Sequence, residues 1–151
     1  MPTPARASIV SGYFGPLHQG HLDMMEAARE LTGHLVVVVN NDLQQELKKG
    51  RVIQGEDARV RIVAALRCVD DVVLAVDDGP SIAGTFDVVR ERYPDAELVF
   101  CNGGDRKDAD ALPADERASA DRNRITLRYG VGGFEKADSS TRLLSALEQD
   151  G

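Results

Sequence analysis

Four consecutive valines limit the folds open to this chain more than any other feature. Residues 35–40 are Leu-Val-Val-Val-Val-Asn, so an extended segment here has two apolar faces. Such β-branched runs are typical of central parallel strands, which are covered on both sides. We therefore expect a sheet with this segment near its centre and helices packed against both of its faces.

The rest of the sequence alternates between strand and helix patterns. Apolar runs predict further strands at residues 7–10, 71–76, 97–101 and 124–130. Apolar side chains at helical spacing predict helices at 22–30, 56–68, 81–92 and 139–147, the third with Ser81 as its cap. Polar segments are interpreted as a loop or frayed helix at 41–55, and as a mobile loop with a short helix around 115–120 at 107–123.

This alternation predicts the fold class. Strands that alternate with helices form α/β sheets whose crossovers are right-handed. We expect a single domain over residues 1–151, built as a Rossmann-like, doubly wound, mostly parallel five-stranded sheet with helices on both faces. Ligands of such sheets bind beyond the carboxyl ends of the strands, at the point where the strand order reverses.

Composition and charge exclude some classes of function. The net charge of −7 argues against nonspecific nucleic-acid binding, which uses a basic surface. No run reaches the ~18 apolar residues of a membrane span, and the N-terminal residues lack the apolar core of a signal peptide. Cys68 and Cys101 stand in apolar surroundings, which favours free thiols over a disulfide. We therefore expect a cytoplasmic protein.

A glycine-containing turn joins the first strand to the first helix and carries a pair of histidines. His18 and His21 lie three residues apart, so on the first helical turn they share a face, with Gly20 between them. A helix N-terminus attracts phosphate through its unpaired N–H groups. The alternatives are that one histidine only caps the helix, or that the pair binds a metal. No cysteine or carboxylate cluster completes a metal site, and His34 lies on the wrong side of the helix.

A second helix start lies near the C-terminus, at Ser139-Ser140-Thr141-Arg142. Serine and threonine are common N-caps, so plain capping is the alternative to a functional site here. Arg142 favours function, because a cation in the first helical turn opposes the helix dipole unless an anion lies beside it.

The two motifs together resemble the cytidylyltransferase-like nucleotidyltransferases, whose signature is HxGH followed by a Ser/Thr-rich helix start. The resemblance extends from about Ser8 to Leu144 and is strongest to the glycerol-3-phosphate cytidylyltransferases and the heptose 1-phosphate adenylyltransferases. In this family the two motifs close on the triphosphate of one nucleotide. The resemblance therefore implies that His18 and His21 contact the triphosphate and stabilise the transition state.

The resemblance also implies roles for other residues, although each basic residue taken singly is more typical of a solvated surface. Lys49 and Arg67 join the two histidines as catalytic candidates, Arg67 because the glycerol-3-phosphate enzymes carry a functional arginine there. The nucleotide-binding candidates are Tyr13, Phe14, Gly15, Gly20, Asn102, Gly103, Gly104, Asp105, Lys136, Ser139, Ser140, Thr141 and Arg142. The acceptor-binding candidates are Asp42, Lys48, Arg51 and Arg59.

Two positions depart from the family pattern. Gly15 stands where both groups of close relatives usually carry aspartate near the phosphates and the metal, and Asp138 stands where an apolar residue usually precedes the Ser/Thr run. The missing carboxylate at Gly15 bears on how Mg²⁺ is handled, and it favours the alternative of a nucleotide-binding module without catalysis.

The expected activity is transfer of CMP from CTP to a small phosphorylated polyol or sugar, with release of pyrophosphate. The alternative within the same class is an adenylyltransferase that uses ATP with a sugar 1-phosphate or a cofactor precursor as acceptor. Mg²⁺ is the expected cofactor, since it bridges triphosphate oxygens in such reactions. The resemblance also implies a homodimer, and we expect no nucleic-acid partner.

Overall fold

The computed structural model describes residues 4–103 and 112–132, and within them the strands form one parallel five-stranded sheet. The sheet order is β3-β2-β1-β4-β5. The strands are β1 (Arg6–Gly12), β2 (Leu35–Val39), β3 (Asp71–Leu74), β4 (Glu97–Cys101) and β5 (Ile125–Arg128). All four neighbouring pairs are parallel, so the predicted fold class is confirmed.

Helices cover both faces of this sheet, as the valine run requires. They are α1 (Gln19–Thr32), α2 (Asp42–Lys49), α3 (Glu56–Ala64), α4 (Ala83–Arg92) and α5 (Ala114–Arg122). All of β2 is buried, and its side chains alternate between two hydrophobic clusters. Val36 and Val38 share a cluster with Phe86 of α4, whereas Val37 and Val39 share the other with Met25 of α1.

The interpretation of residues 41–55 as a loop or frayed helix is wrong for 42–49, which form α2. The helix is well capped: Asn41 and Gln44 form a reciprocal capping box, and Gly50 ends the helix in the left-handed region at φ 77°. Its hydrophobic pattern is inverted, because Leu43 and Leu47 are 48% and 59% exposed while Gln44 and Gln45 are buried. A pattern search that looks for apolar side chains on the inner face therefore misses this helix.

The predicted boundaries shift at several other elements. The helix predicted at 56–68 ends at Ala64, and the N-cap of α4 is Ile82 instead of Ser81. The Ser81 hydroxyl donates to Asp115. The amides of Gly84 and Thr85 are capped from the preceding loop by the carboxylate of Asp77, at 2.7 and 3.1 Å. The predicted closing helix at 139–147 lies outside the described residues.

The topology fixes the edge at which a ligand is expected. β1 and β4 are neighbours in the centre of the sheet, and the chain continues outward from them in opposite directions. Their carboxyl ends, at Gly12 and Cys101, therefore border the point where the strand order reverses. Cys68 and Cys101 are both free, as expected. Within the described residues, no helix has the length and apolar character of a membrane span.

Candidate nucleotide-binding site

The turn after β1 is shaped by the packing of Phe14. Phe14 is buried and adopts a left-handed backbone at φ 55°. Its ring meets that of His21 edge-on, with the ring centroids 5.0 Å apart. The ring also covers Gly12, where an added Cβ would come within 2.8 Å of Phe14 Cζ. Gly12 is thus needed for the close approach that brings Phe14 against the histidine.

His18 and His21 lie together at the start of α1 and cap it reciprocally. His18 is the N-cap, and its Nδ1 accepts from the backbone N–H of Gly20 at 3.1 Å. The His18 N–H donates in turn to Nδ1 of His21 at 3.1 Å. The two rings stack with centroids 3.7 Å apart. Because both Nδ1 atoms accept hydrogen bonds, each neutral imidazole carries its proton on Nε2.

This geometry makes the two interpretations of the histidine pair, helix capping and phosphate binding, compatible with each other. The capping role uses Nδ1 of each ring, whereas a neutral ring donates a hydrogen bond through Nε2. A phosphate oxygen accepts such bonds, so Nε2 is the nitrogen that a catalytic role requires. The helix cap fixes the tautomer and the orientation of both rings, which is what a pre-organised donor pair needs.

Two lysines at the end of α2 lie beside the turn after β1. Nζ of Lys48 is 4.9 Å from the centroid of the Tyr13 ring, and Nζ of Lys49 is 5.6 Å from it. Lys49 also donates to the carbonyl of Gly15 at 3.1 Å. Partial burial lowers the pKa of Lys49, and the charges of Lys48 and Arg59 lower it further. The structure thus brings together Tyr13, Gly15 and both predicted lysines.

Arg59 takes a different place from the one expected of an acceptor-binding residue. It is fully buried, and its guanidinium donates to the carbonyls of Tyr13, Asn40 and Gln54 at 2.9, 2.5 and 2.7 Å. It also forms an ion pair with Asp42 at 3.0 Å. Arg59 therefore ties the ends of β1 and β2 to the start of α2, and its role in binding the acceptor stays a prediction. Asp42, half exposed, is engaged by this arginine.

The end of β4 closes the other side of the site. Asn102 is buried, and its backbone N–H donates to the Arg128 carbonyl while its own carbonyl accepts from Val131. An added Cβ on Gly103 would meet Met24 Sδ at 3.4 Å, so Gly103 lies against α1 one turn after Gly20. The remaining nucleotide-binding candidates lie outside the described residues: Gly104, Asp105, Lys136, Ser139, Ser140, Thr141 and Arg142.

The structure does not bring Arg67 to this group. Arg67 is exposed in the turn between α3 and β3. That turn lies at the amino edge of the sheet, because Asp70 in the same turn donates its N–H to the carbonyl of Leu35, the first residue of β2. The histidines lie at the opposite edge. Arg51 is exposed two residues beyond the lysine pair, and its predicted contact with the acceptor stays a prediction.

Sequence reasoning missed the buried amides that hold the loops of this edge. Gln44 donates to the carbonyls of Gly79 and Ser81 at 2.9 and 3.0 Å. Gln45 donates to Gln54 and accepts from the Ile53 N–H. The one sequence signal for them is the Asn41–Gln44 spacing, which is typical of a capping box.

Two observations on the described residues bear on how a magnesium ion would be held at this site. These residues contain no group of three or more histidine, cysteine, aspartate or glutamate side chains that is able to hold a metal. The position where relatives carry a carboxylate is Gly15, and the nearby carboxylate of Asp42 is paired with Arg59.

The turn after β1 lies between a strand and a helix at the switch point of a parallel sheet, with imidazole groups and lysines around it. Such a turn is typical of proteins that bind the phosphate groups of a ligand. A family model described as Cytidylyltransferase-like matches residues 9–123 of the chain. The chain belongs to the cytidylyltransferase-like family and is a nucleotidyltransferase.

Curated relatives and solved structures are similar to the chain. The Bifunctional protein HldE of Gluconobacter oxydans (strain 621H) is 34% identical over 150 residues, which is 95% of this chain and 28% of that protein. HldE of Rhodopseudomonas palustris (strain TIE-1) is 33% identical over 120 residues, 72% of this chain and 24% of that protein. The chain thus spans about a quarter of the length of these relatives.

Two solved structures support the fold. The lipopolysaccharide core biosynthesis protein from Thermoplasma volcanium GSS1 has a TM-score of 0.65 at 24% identity, over 88% of this chain and 98% of that chain. Thermotoga maritima TmcAL bound with alpha-thio ATP has a TM-score of 0.66 at 18% identity, over 95% of this chain and 50% of that chain.

Proposed function

We propose that the protein transfers AMP from ATP to a phosphorylated sugar, such as a sugar 1-phosphate, and releases pyrophosphate. The observation that carries the proposal is the 34% identity to HldE across 95% of the chain, since the matching part of HldE is its ADP-heptose synthase domain. Among the activities implied by the two sequence motifs, this similarity favours the adenylyl alternative over the CMP transfer expected first.

The proposed reaction is a nucleotidyl transfer. A phosphate oxygen of the acceptor forms a bond to the α-phosphorus of ATP, and the bond from that phosphorus to the bridging oxygen of the β-phosphate breaks. Pyrophosphate leaves with the bonding electron pair. Negative charge grows on the α-phosphate oxygens and on the leaving group, so catalysis consists mainly of positioning and electrostatic stabilisation.

The side chains around the turn after β1 suit this chemistry. The Nε2–H groups of His18 and His21 are donors for the oxygens on which charge grows, and the helix dipole of α1 acts in the same direction. Lys48 and Lys49 bring positive charge to the other side of the turn. Mg²⁺ is proposed as a companion of ATP, held by the triphosphate oxygens.

Transfer of CMP to glycerol 3-phosphate is the second candidate. The observation that favours it is the arginine at position 67, yet Arg67 lies at the edge of the sheet opposite the histidines.

A homodimer is proposed from the family resemblance alone. The molecular mass in solution, measured by light scattering, tests this proposal.

The experiment that tests the proposed function has two stages. Thermal unfolding is first measured with ATP, CTP, GTP or UTP in the presence of Mg²⁺; a ligand at ~100 times its Kd stabilises the fold by ~2.7 kcal/mol. Pyrophosphate release is then measured with the stabilising nucleotide and a panel of sugar 1-phosphates, with glycerol 3-phosphate as comparison. We expect stabilisation by ATP and release with a sugar 1-phosphate. Stabilisation by CTP and release with glycerol 3-phosphate would overturn the proposal in favour of the second candidate.

A further inference from the structure

Tyr13 follows the first strand, and its ring lies beside the lysine pair at the end of α2. Its ring stands on the α2 side of the turn, with Nζ of Lys48 at 4.9 Å and Nζ of Lys49 at 5.6 Å from the ring centroid. Both distances are within the range in which an ammonium group is attracted to the face of an aromatic ring.

Two like charges on one ring need an explanation, because they repel each other. The Lys48 side chain is exposed and is able to extend into solvent away from Lys49, which is half buried. Burial lowers the pKa of Lys49 most, and the charges of Lys48 and Arg59 lower it further, so keeping Lys49 charged beside Lys48 costs free energy in the absence of an anion. A group with two or more negative charges removes this cost when it binds.

The backbone around Tyr13 is held from several sides. Arg59, fully buried, donates to the Tyr13 carbonyl at 2.9 Å. Lys49 donates to the carbonyl of Gly15 at 3.1 Å. Phe14 has a left-handed backbone conformation, and the two neighbouring rings have different partners. The Phe14 ring packs against His21, whereas the Tyr13 ring lies beside the lysines. One rigid turn thus connects the lysine pair to the histidine pair.

We propose that Tyr13 is a positioning residue, whose ring holds Lys48 and Lys49 together as a clamp for the phosphate oxygens of a substrate. In this role Tyr13 acts through the lysines. This proposal rests on the proposed function only for the identity of the phosphate compound. The phosphate belongs to the donor's triphosphate or to the acceptor, and the experiment separates the two sources.

The test is a double-mutant cycle on phosphate binding, measured by calorimetry with the full chain. The variants are Tyr13→Leu, Tyr13→Phe, the pair Lys48→Met with Lys49→Met, and Tyr13→Leu combined with that pair. The probes are inorganic pyrophosphate with Mg²⁺, for the donor side, and glucose 1-phosphate, for the acceptor side. Thermal unfolding without ligand checks that every variant folds.

We expect Tyr13→Leu to weaken binding of at least one probe ~5- to 10-fold, the size of the loss of two cation–π contacts. Tyr13→Phe keeps the ring face and is expected to retain affinity within ~2-fold. In the background without the lysines, Tyr13→Leu is expected to have no further effect, because the ring then has no cation to hold.

Three results would overturn the proposal. They are an equal loss from Tyr13→Leu with and without the lysines, an equal loss from Tyr13→Phe and Tyr13→Leu, and a wild-type chain that binds neither probe. Pyrophosphate and glucose 1-phosphate carry no base, so these results do not depend on whether ATP is the donor. Failure of the proposed function would be seen separately, in the measured nucleotide preference and in the measured release of pyrophosphate.

Discussion

The backbone N–H of His18 donates to Nδ1 of His21 at 3.1 Å, and the two rings stack with their centroids 3.7 Å apart. The pair therefore caps α1 and presents two Nε2 atoms that are pre-oriented by the same hydrogen bonds. Structure and proposed catalysis use different nitrogens of the same rings, so a substitution can separate them.

Replacing His18 by alanine or by asparagine tests this separation. His18→Ala removes the N-cap and the donor, so we expect a loss of about 1 kcal/mol in stability and ~10²-fold in kcat. His18→Asn keeps a good N-cap but lacks the imidazole, so stability is expected to recover while kcat stays low. Urea denaturation and pyrophosphate release measure the two effects.

The control for these variants is His34→Ala. His34 lies just before β2 at the opposite edge of the sheet, where its Nε2 is 3.1 Å from the Tyr93 hydroxyl. We expect kcat within ~2-fold of wild type there, since no donor at the site is removed. Recovery of both stability and kcat in His18→Asn would contradict a catalytic role for the imidazole.

Gly12→Ala is expected to disturb the site by displacing the Phe14 ring that packs against His21. The new Cβ would lie 2.8 Å from Phe14 Cζ, so the buried ring has to move, and it packs edge-on against His21. We expect a stability loss of about 1–3 kcal/mol from this overpacking, accompanied by a lower kcat. Gly79→Ala is the matched control, because an added Cβ there meets nothing within 4 Å. Equal stability of the two variants would contradict this prediction, because the Phe14 ring would then move without any loss in the free energy of unfolding.

Much of the fold was predictable, because a strand that is buried on both faces has an apolar residue at every position. The valines of β2 are apolar at every position, and only a covered parallel strand accounts for that. Helix α2 was not predictable in the same way. Its buried residues are the amides Gln44 and Gln45. Gln44 donates to carbonyls of the loop at Gly79 and Ser81, and Gln45 donates to Gln54 in the loop after α2, and no local pattern records these contacts.

The candidate site was likewise only partly predictable from the sequence. The spacing of His18 and His21 identifies a pair on one helix face, since three residues make almost one turn. The use of their Nδ1 atoms depends on backbone geometry at the cap, which only the structure provides. Arg59 is the sharpest difference. Charge alone suggests a surface residue, yet three carbonyls and a carboxylate converge on its buried guanidinium.

The two cysteines are expected to react very differently with a thiol reagent such as Ellman's reagent at pH 8. Burial raises the pKa of Cys101 to about 11, so only ~10⁻³ of it is thiolate at that pH, and the side chain is 1% exposed. Cys68 is half buried; burial raises its pKa too, but the reagent can reach it. We expect one thiol to react in the native protein and two after unfolding. Cys68→Ser is expected to abolish the native reaction, and rapid modification of Cys101 in that variant would contradict the burial.

Arg59→Met tests the connection between the strand ends and α2. The substitution keeps much of the side-chain volume but leaves the carbonyls of Tyr13, Asn40 and Gln54, and the carboxylate of Asp42, without their shared donor. Buried acceptors that lose a charged donor are costly, so we expect a loss of about 3 kcal/mol or more in the free energy of unfolding, measured in urea.

Two further variants complete the Arg59 test. Arg59→Lys keeps the charge but not the planar fork that reaches several acceptors at once, so an intermediate loss is expected. Arg122→Met is the matched control: it removes an arginine whose side chain is 61% exposed and whose ion pair with Asp87 lies at the surface. Such pairs contribute less than about 1 kcal/mol. If Arg59→Met costs no more than Arg122→Met, the buried guanidinium does not hold this edge of the sheet together, and the turn that carries Tyr13 must be fixed by the packing of Phe14 and by the hydrogen bond from Lys49 to Gly15.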